Sequence, residues 1–209
     1  TIVATSDEES SMAGSRYLLE CGKPKADYAI IGEPTAMQPI FAHKGISMMT
    51  IQLEGASGHS SDPSLGANAL DAMHRVMGEL IAMREELAAA NQNNAFAVNV
   101  PTMNLGCMRA GDNPNRICGH AALQIDLRLL PGMDSEAIHE ALERRIAAVV
   151  ANTGVSLQLH KAYPPIPPFQ SDPNGELLGA LSGLSGNQPG TVAFGTEAHF
   201  MQTLGMETV

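Results

Sequence analysis

The chain has 209 residues, 44% of them hydrophobic but only 4% aromatic and none Trp, so it can hold one large domain or two small ones around an aliphatic core with Met as flexible filler. The net charge of −10, with no run of Lys or Arg, argues against nucleic acid and anionic membrane surfaces as partners. No apolar stretch approaches the ~20 residues that span a bilayer, no signal peptide is recognisable, and three Cys without a CxxC spacing suit a reducing, cytoplasmic setting.

Residues 1–5 read as a buried strand, 11–22 as a short helix ending at Gly22, and 26–32 as a second apolar strand. Two strands joined by a helix predict a right-handed βαβ unit with a parallel pair, whose carboxyl ends lie on the edge where open α/β sheets bind ligands. The stretch 46–55 reads as a strand with Met49, Ile51 and Leu53 on one face, and 64–90 carries apolar residues at helical spacing. Residues 101–111 read as a strand. In 115–130 the alternation is clean, with Ile117, Ala121, Leu123, Ile125, Leu127 and Leu129 inward and His120, Gln124, Asp126 and Arg128 outward. A capped helix is predicted over 134–154 and a strand over 155–161. The order β-α-β-β-α-β predicts a ferredoxin-like sandwich of four strands and two helices.

The segment 163–169, "YPPIPPF", has four prolines in seven residues and reads as a stiff extended connector. After it come a predicted helix at "NGELLGALSGL" and a strand with its loop at "TVAFGTEAHFM". The fold expected is α/β: a partial parallel-sheet domain over 1–42 and 163–209, with the ferredoxin-like unit inserted at 43–162. The opening mid-strand residues and the strand-like "GMETV" predict a piece cut from a longer chain.

Three acids, Asp7-Glu8-Glu9, follow the first apolar run, and Glu33 follows the second. One reading of the first cluster is structural. Ser6-x-x-Glu9 has the form of a capping box, and acids in a first turn suit the helix dipole. The other is chemical. Adjacent carboxylates repel, which favours a nearby cation or a raised pKa, and both clusters fall on one predicted sheet edge. Carboxylate oxygens with His suit a hydrolytic zinc centre. In an extended pair such as Glu8-Glu9 one side chain can hold the metal while the other serves as base. His59, in "SGHSSDP", is either a solvated loop residue or a catalytic one; His43 and His199 lie near predicted strand ends. Arg128 is either the partner of Asp126 or a carboxylate clamp. Thr196 and Glu197, in "FGTEA", lie at a further strand end. No GxGxxG, P-loop, HExxH or GxSxG occurs.

Taken together, "TSDEES", "IIGEPT", "SGHSSDP", "NPNRIC", "DLRLLPGM" and "GTEA" resemble, in sequence and order, the zinc-dependent amidohydrolases that include acetylornithine deacetylase, succinyl-diaminopimelate desuccinylase, aminoacylase and carboxypeptidase G. The resemblance runs along essentially the whole chain and is nearest the acetylornithine deacetylase branch. It implies a catalytic α/β domain with an inserted lid that carries the dimer contact, hence a homodimer acting on a small N-acyl amino acid. It implies zinc, one or two per subunit, with cobalt able to substitute. Glu8 is then the general base, Glu9 a ligand of one zinc and Glu33 of the other. His59 is the lid histidine that polarises the substrate carbonyl from across the dimer. Lys44, Asn115, Arg128 and Thr196 match positions that hold the substrate carboxylate or line its pocket. The implied reaction is amide hydrolysis, N-acetylornithine to ornithine and acetate in arginine biosynthesis. The alternatives are a desuccinylase, dipeptidase or aminoacylase, or a non-catalytic dimerisation or binding module. The family's upstream His-x-Asp motif, bridging Asp and downstream metal His have no counterpart in these residues, which leaves two of the expected ligands.

Overall fold

The structure, a computed structural model, describes residues 1–209. In chain order its elements are α1 (Ala13–Glu20), β1 (Tyr28–Ala29), β2 (Ile40–His43), β3 (Gly45–Glu54), a 3-10 turn (Pro63–Leu65), α2 (Ala69–Ala90), β4 (Thr102–Ala110), β5 (His120–Leu129), α3 (Ser135–Val150), β6 (Ser156–Lys161), β7 (Phe169–Gln170), α4 (Glu176–Ser185), β8 (Gly190–Val192), α5 (Ala198–Thr203) and β9 (Glu207–Thr208).

The middle of the chain is a four-stranded antiparallel sheet ordered β4-β5-β3-β6 and backed by α2 and α3. Its sequence dictates this locally. β3 alternates buried and half-buried positions, and β5 alternates buried positions with half-buried or exposed ones, so each presents one apolar face. Met49, Ile51 and Leu53 from β3 and Leu123, Ile125 and Leu127 from β5 meet Met73, Val76 and Leu80 of α2 and Leu142 and Ile146 of α3 in one core of 19 buried residues. Burying each such side chain is worth ~1.5–3 kcal/mol. Both helices start at a side-chain cap: Asn68 accepts from the amides of Leu70 and Asp71, and Asp134 from those of Glu136 and Ala137. The cap at Asn68 sets the helix start five residues later than the apolar periodicity suggests, because Pro63–Leu65 forms its own 3-10 turn capped by Asp62.

The chain on either side of this unit meets in a three-stranded sheet, β7-β2-β8, where β2 runs antiparallel to β7 and parallel to β8. The proline-rich connector is extended, as read, and Ile166 exchanges backbone hydrogen bonds with Ile46 at 2.9 Å in both directions. The two crossings between the sheets are thus bonded to each other. Gly45 is required there, since a Cβ would lie 2.8 Å from the Pro168 ring. A smaller core of Met12, Ile166, Phe200, Met201 and Met206 joins α1, the connector, α5 and the turn before β9.

Three expectations need correction. Residues 1–5 form no strand: Ile2 is 98% exposed and no strand pairs with it. β1 instead pairs in parallel with β9, from the far end of the chain, so the predicted local βαβ unit is absent. An apolar run becomes a strand only where a neighbour supplies hydrogen bonds, and here the neighbour of β1 is distant in sequence. Second, Ser6 and Glu9 form no capping box; α1 is preceded by Met12 in the left-handed region at φ 53° with no side-chain cap. Glu8 and Glu9 lie in a turn, not in extended backbone. Third, the stretch Ala198–Thr203 is helix α5, because Thr196 turns the chain and its hydroxyl accepts from the Ala198 amide.

Candidate active site

The turn after Ser6 carries Glu8 and Glu9, the loop after β1 carries Glu33, and the loop after β8 carries Glu197. These four carboxylates lie within electrostatic reach of one another. Glu8 is held above the usual carboxylate range by burial first, then by the charges of Glu33, Glu9 and Glu197. Glu33 is raised by burial and then by Glu9 and Glu197. None of the ion pairs in the molecule involves these four residues. The nearby guanidinium of Arg16 is engaged by carbonyls, donating to Ser11 at 2.9 Å and to Pro164 and Pro165 at 3.0 and 2.8 Å. The cluster therefore lacks a positive counterpart within the chain. Its donor type, hard carboxylate oxygen, fits a zinc or similar divalent ion, but no set of three His, Cys, Asp or Glu side chains converges closely enough to enclose one. The acids by themselves therefore do not enclose an ion.

Beside Glu33 opens a cavity of about 350 Å³, walled mainly by aliphatic and aromatic side chains such as Ile31, Val192 and Phe194, with Glu33, Thr196 and His43 as polar members. His43 is 1% exposed. Its Nδ1 lies 2.9 Å from the Lys44 carbonyl, which can only accept, so Nδ1 carries the proton and Nε2 is a lone pair without a partner. Burial drives the pKa of this ring down to about 4, outweighing the pull of the Lys44 and Thr196 backbone. His199 is also lowered by burial.

The remaining candidates form two further groups. His59 pairs with Arg116 across a backbone bridge, and the Ser60 amide donates to the Asn115 carbonyl, so His59 and Asn115 share one exposed loop edge of the four-stranded sheet. His59 Nδ1 is 2.7 Å from the Ser61 hydroxyl. No hydrogen bond or ion pair joins this pair to the acids. Lys44 and Arg128 lie near each other where β3 and β5 begin and end; burial lowers the Lys44 pKa and the Arg128 charge lowers it further. Lys44 is 2% exposed and its Nζ donates to the Val100 carbonyl at 2.6 Å. Arg128 donates from Nε and Nη2 to both oxygens of Asp126 at 3.0–3.1 Å, which is the structural reading of this residue, and leaves Nη1 without a partner. Thus Glu8, Glu9, Glu33 and, by the cavity, Thr196 come together. Sequence reasoning gives no role to His43 and only notes Glu197. The sequence signal for Glu197 is its place at a third predicted strand end, after the acid-bearing ends at Asp7-Glu8-Glu9 and at Glu33.

With the geometry in hand, comparison with known proteins fixes the family. A peptidase dimerisation domain of the M20 peptidases matches residues 41–153. The chain belongs to the M20 peptidase family. The match covers β3-α2-β4-β5-α3, the lid of these enzymes. Among solved structures, aminopeptidase PepT from Bacillus cereus superposes with a TM-score of 0.69 at 17% identity, over 98% of this chain and 53% of that one. Human carnosine dipeptidase 1 gives 0.69 at 13% identity, over 96% and 56%. A Staphylococcus aureus tripeptidase gives 0.66 at 14%, over 93% and 52%. At these identities the likeness is one of fold, and the chain spans about half the length of each. No helix is long and apolar enough to cross a membrane.

Proposed function

We propose that the protein hydrolyses the amide bond of an N-acyl amino acid, with N-acetylornithine, yielding ornithine and acetate, as the first candidate substrate. The observation that carries this reading is the gathering of Glu8, Glu9, Glu33 and Glu197 without a cation of their own, in a chain that belongs to a peptidase family. Glu9 and Glu33 are the residues to hold zinc, together with ligands beyond these four acids; when bound, the metal supplies Lewis acidity to the scissile carbonyl. Glu8, half-buried and with a raised pKa, takes the proton of the attacking water and returns it to the leaving amine. His59, on its exposed loop edge, reaches no acid of its own subunit and serves the site of a partner copy, which makes a homodimer through the lid part of the mechanism. Asn115 accompanies it. The free Nη1 of Arg128 and the Thr196 hydroxyl are suited to the substrate carboxylate and pocket; Lys44, buried and engaged, supports the same end through its charge. The domains run 1–42 and 163–209 for the acid-bearing part and 43–162 for the lid. The setting is cytoplasmic arginine biosynthesis.

A second reading is a non-catalytic dimerisation module, favoured by the lack of three convergent ligands. A third keeps the chemistry and exchanges the substrate for a dipeptide or succinylated diamine. Zinc-supplemented turnover of N-acetylornithine, a dipeptide panel and N-succinyl-diaminopimelate separates all three. Glu8→Gln is expected to lower kcat by ~10²–10⁴ with KM little changed. Turnover that survives this change removes Glu8 as base, and an inert wild type on every substrate favours the second reading.

A further inference from the structure

We infer that Glu197 is a positioning residue whose carboxylate staples the acid-bearing turn in place. Its Oε1 accepts from the Thr5 hydroxyl at 2.6 Å and from the Ser15 hydroxyl at 2.6 Å. These two residues stand on either side of the segment that carries Glu8 and Glu9, so one oxygen holds both ends of the turn against the loop after β8. Ser15 is 0% exposed, and both hydrogen bonds lie at the short end of the hydroxyl-to-oxygen range.

The turn needs an external tie. It is closed internally by the Met12 and Gly14 amides, which donate to the Asp7 and Ser6 carbonyls at 2.8 and 3.2 Å. Two of its non-glycine residues, Asp7 and Met12, sit in the left-handed region at φ 59° and 53°, a conformation that surrounding contacts must hold in place. Gly14 packs so closely on the returning chain that a Cβ would lie 2.7 Å from the Ser6 nitrogen. Neither serine nor acid caps α1, so the helix does not organise the turn. Glu197 likewise does not cap α5, at whose start it sits; the Thr196 hydroxyl does that. Its hydrogen bonds go to Thr5 and Ser15, and through them Glu197 sets where Glu8 stands.

This rests on Glu8 as the general base, and two readouts keep the claims apart. In steady-state hydrolysis of N-acetylornithine with zinc, Glu197→Ala is expected to lower kcat by ~10²-fold through misplacement of Glu8, with KM within about threefold. Glu197→Gln, whose amide oxygen still accepts both hydroxyls, restores most of that loss. Thr5→Val and Ser15→Ala each give a smaller loss in the same sense. Amide hydrogen exchange at Met12 and Gly14 rises in Glu197→Ala and stays near wild type in Glu197→Gln, and this readout needs no turnover. Exchange unmoved by Glu197→Ala, or activity lost equally in the Gln and Ala variants, overturns the staple; the latter result assigns the charge itself a role. An inert wild type with the exchange pattern as described overturns the catalytic reading and leaves the staple standing.

Discussion

The four-stranded sheet and the acid-bearing part are built on opposite terms. The sheet has one core of 19 buried residues, strands of up to ten residues and two helices with side-chain caps. The acid-bearing part has strands of two to four residues, a core of five, and a group of carboxylates that repel one another. One region is organised by apolar burial, and its charged side chains form ion pairs such as Arg128 with Asp126 and Arg145 with Glu79. The other holds unfavourable charge and left-handed backbone in place through a few long-range hydrogen bonds. The apolar core and the candidate site are thereby divided between the two.

The contrast can be broken in three ways. The largest effect is expected from Leu123→Ala, at 1% exposure in the sheet core. It should cost ~2–5 kcal/mol in denaturant unfolding, while the hydrogen exchange of the turn at residues 6–14 is unchanged. Movement in both regions together would show that they unfold as one unit.

Next comes acid. His43 is neutral in the fold because burial holds its pKa near 4 against an ordinary 6.5. A folded pKa below the unfolded one means stability present above about 6.5 and lost as pH falls toward 4. The loss is on the order of 3 kcal/mol for a shift of this size. His43→Phe should flatten the stability profile in that window, and an unaltered profile would assign the acid lability to another group, such as His139 or His199.

The smallest effect is of opposite sign. Glu33 has a raised pKa, so the metal-free fold keeps its proton longer than the unfolded chain does, and stability falls as pH climbs above 4.5. Glu33→Gln should stabilise the metal-free protein at pH 7 by less than ~1 kcal/mol, as expected for a partly solvated charge, and leave it unchanged at pH 4. Destabilisation at pH 7 would mean that Glu33 has a partner the structure does not show.

The same division explains how far the sequence could be read. In the sheet, neighbours in space are neighbours in sequence, and period-two burial in 115–130 and helical spacing in 134–154 point to the observed elements and faces. Asp134 sets the start of α3 where the sequence reading puts it, whereas the cap at Asn68 goes unread because the Asp62-capped turn just before it carries the same apolar spacing. In the acid-bearing part, β1 finds its partner in β9 and β2 finds β7 and β8, all from the other end of the chain. No local pattern carries that pairing, so residues 1–5 read as a strand for which the fold has no neighbour. Of the candidate site, the acids Glu8, Glu9 and Glu33 stand out in the sequence because they follow apolar runs. The staple through Glu197 was not, because it depends on Thr5 and Ser15, whose hydroxyls look like any others until the fold brings them to one oxygen.

The central claim is that the acids form part of a cation site. Calorimetric titration of the metal-free protein with zinc, near the ordinary carboxylate value of 4.5 and in two buffers of different ionisation enthalpy, tests it most directly. The prediction is saturable binding that releases protons, because Glu8 and Glu33 carry raised pKa values before the ion arrives, and that is lost together with its proton release in a Glu9→Gln, Glu33→Gln double variant. Zinc binding of undiminished affinity in that double variant would contradict the account.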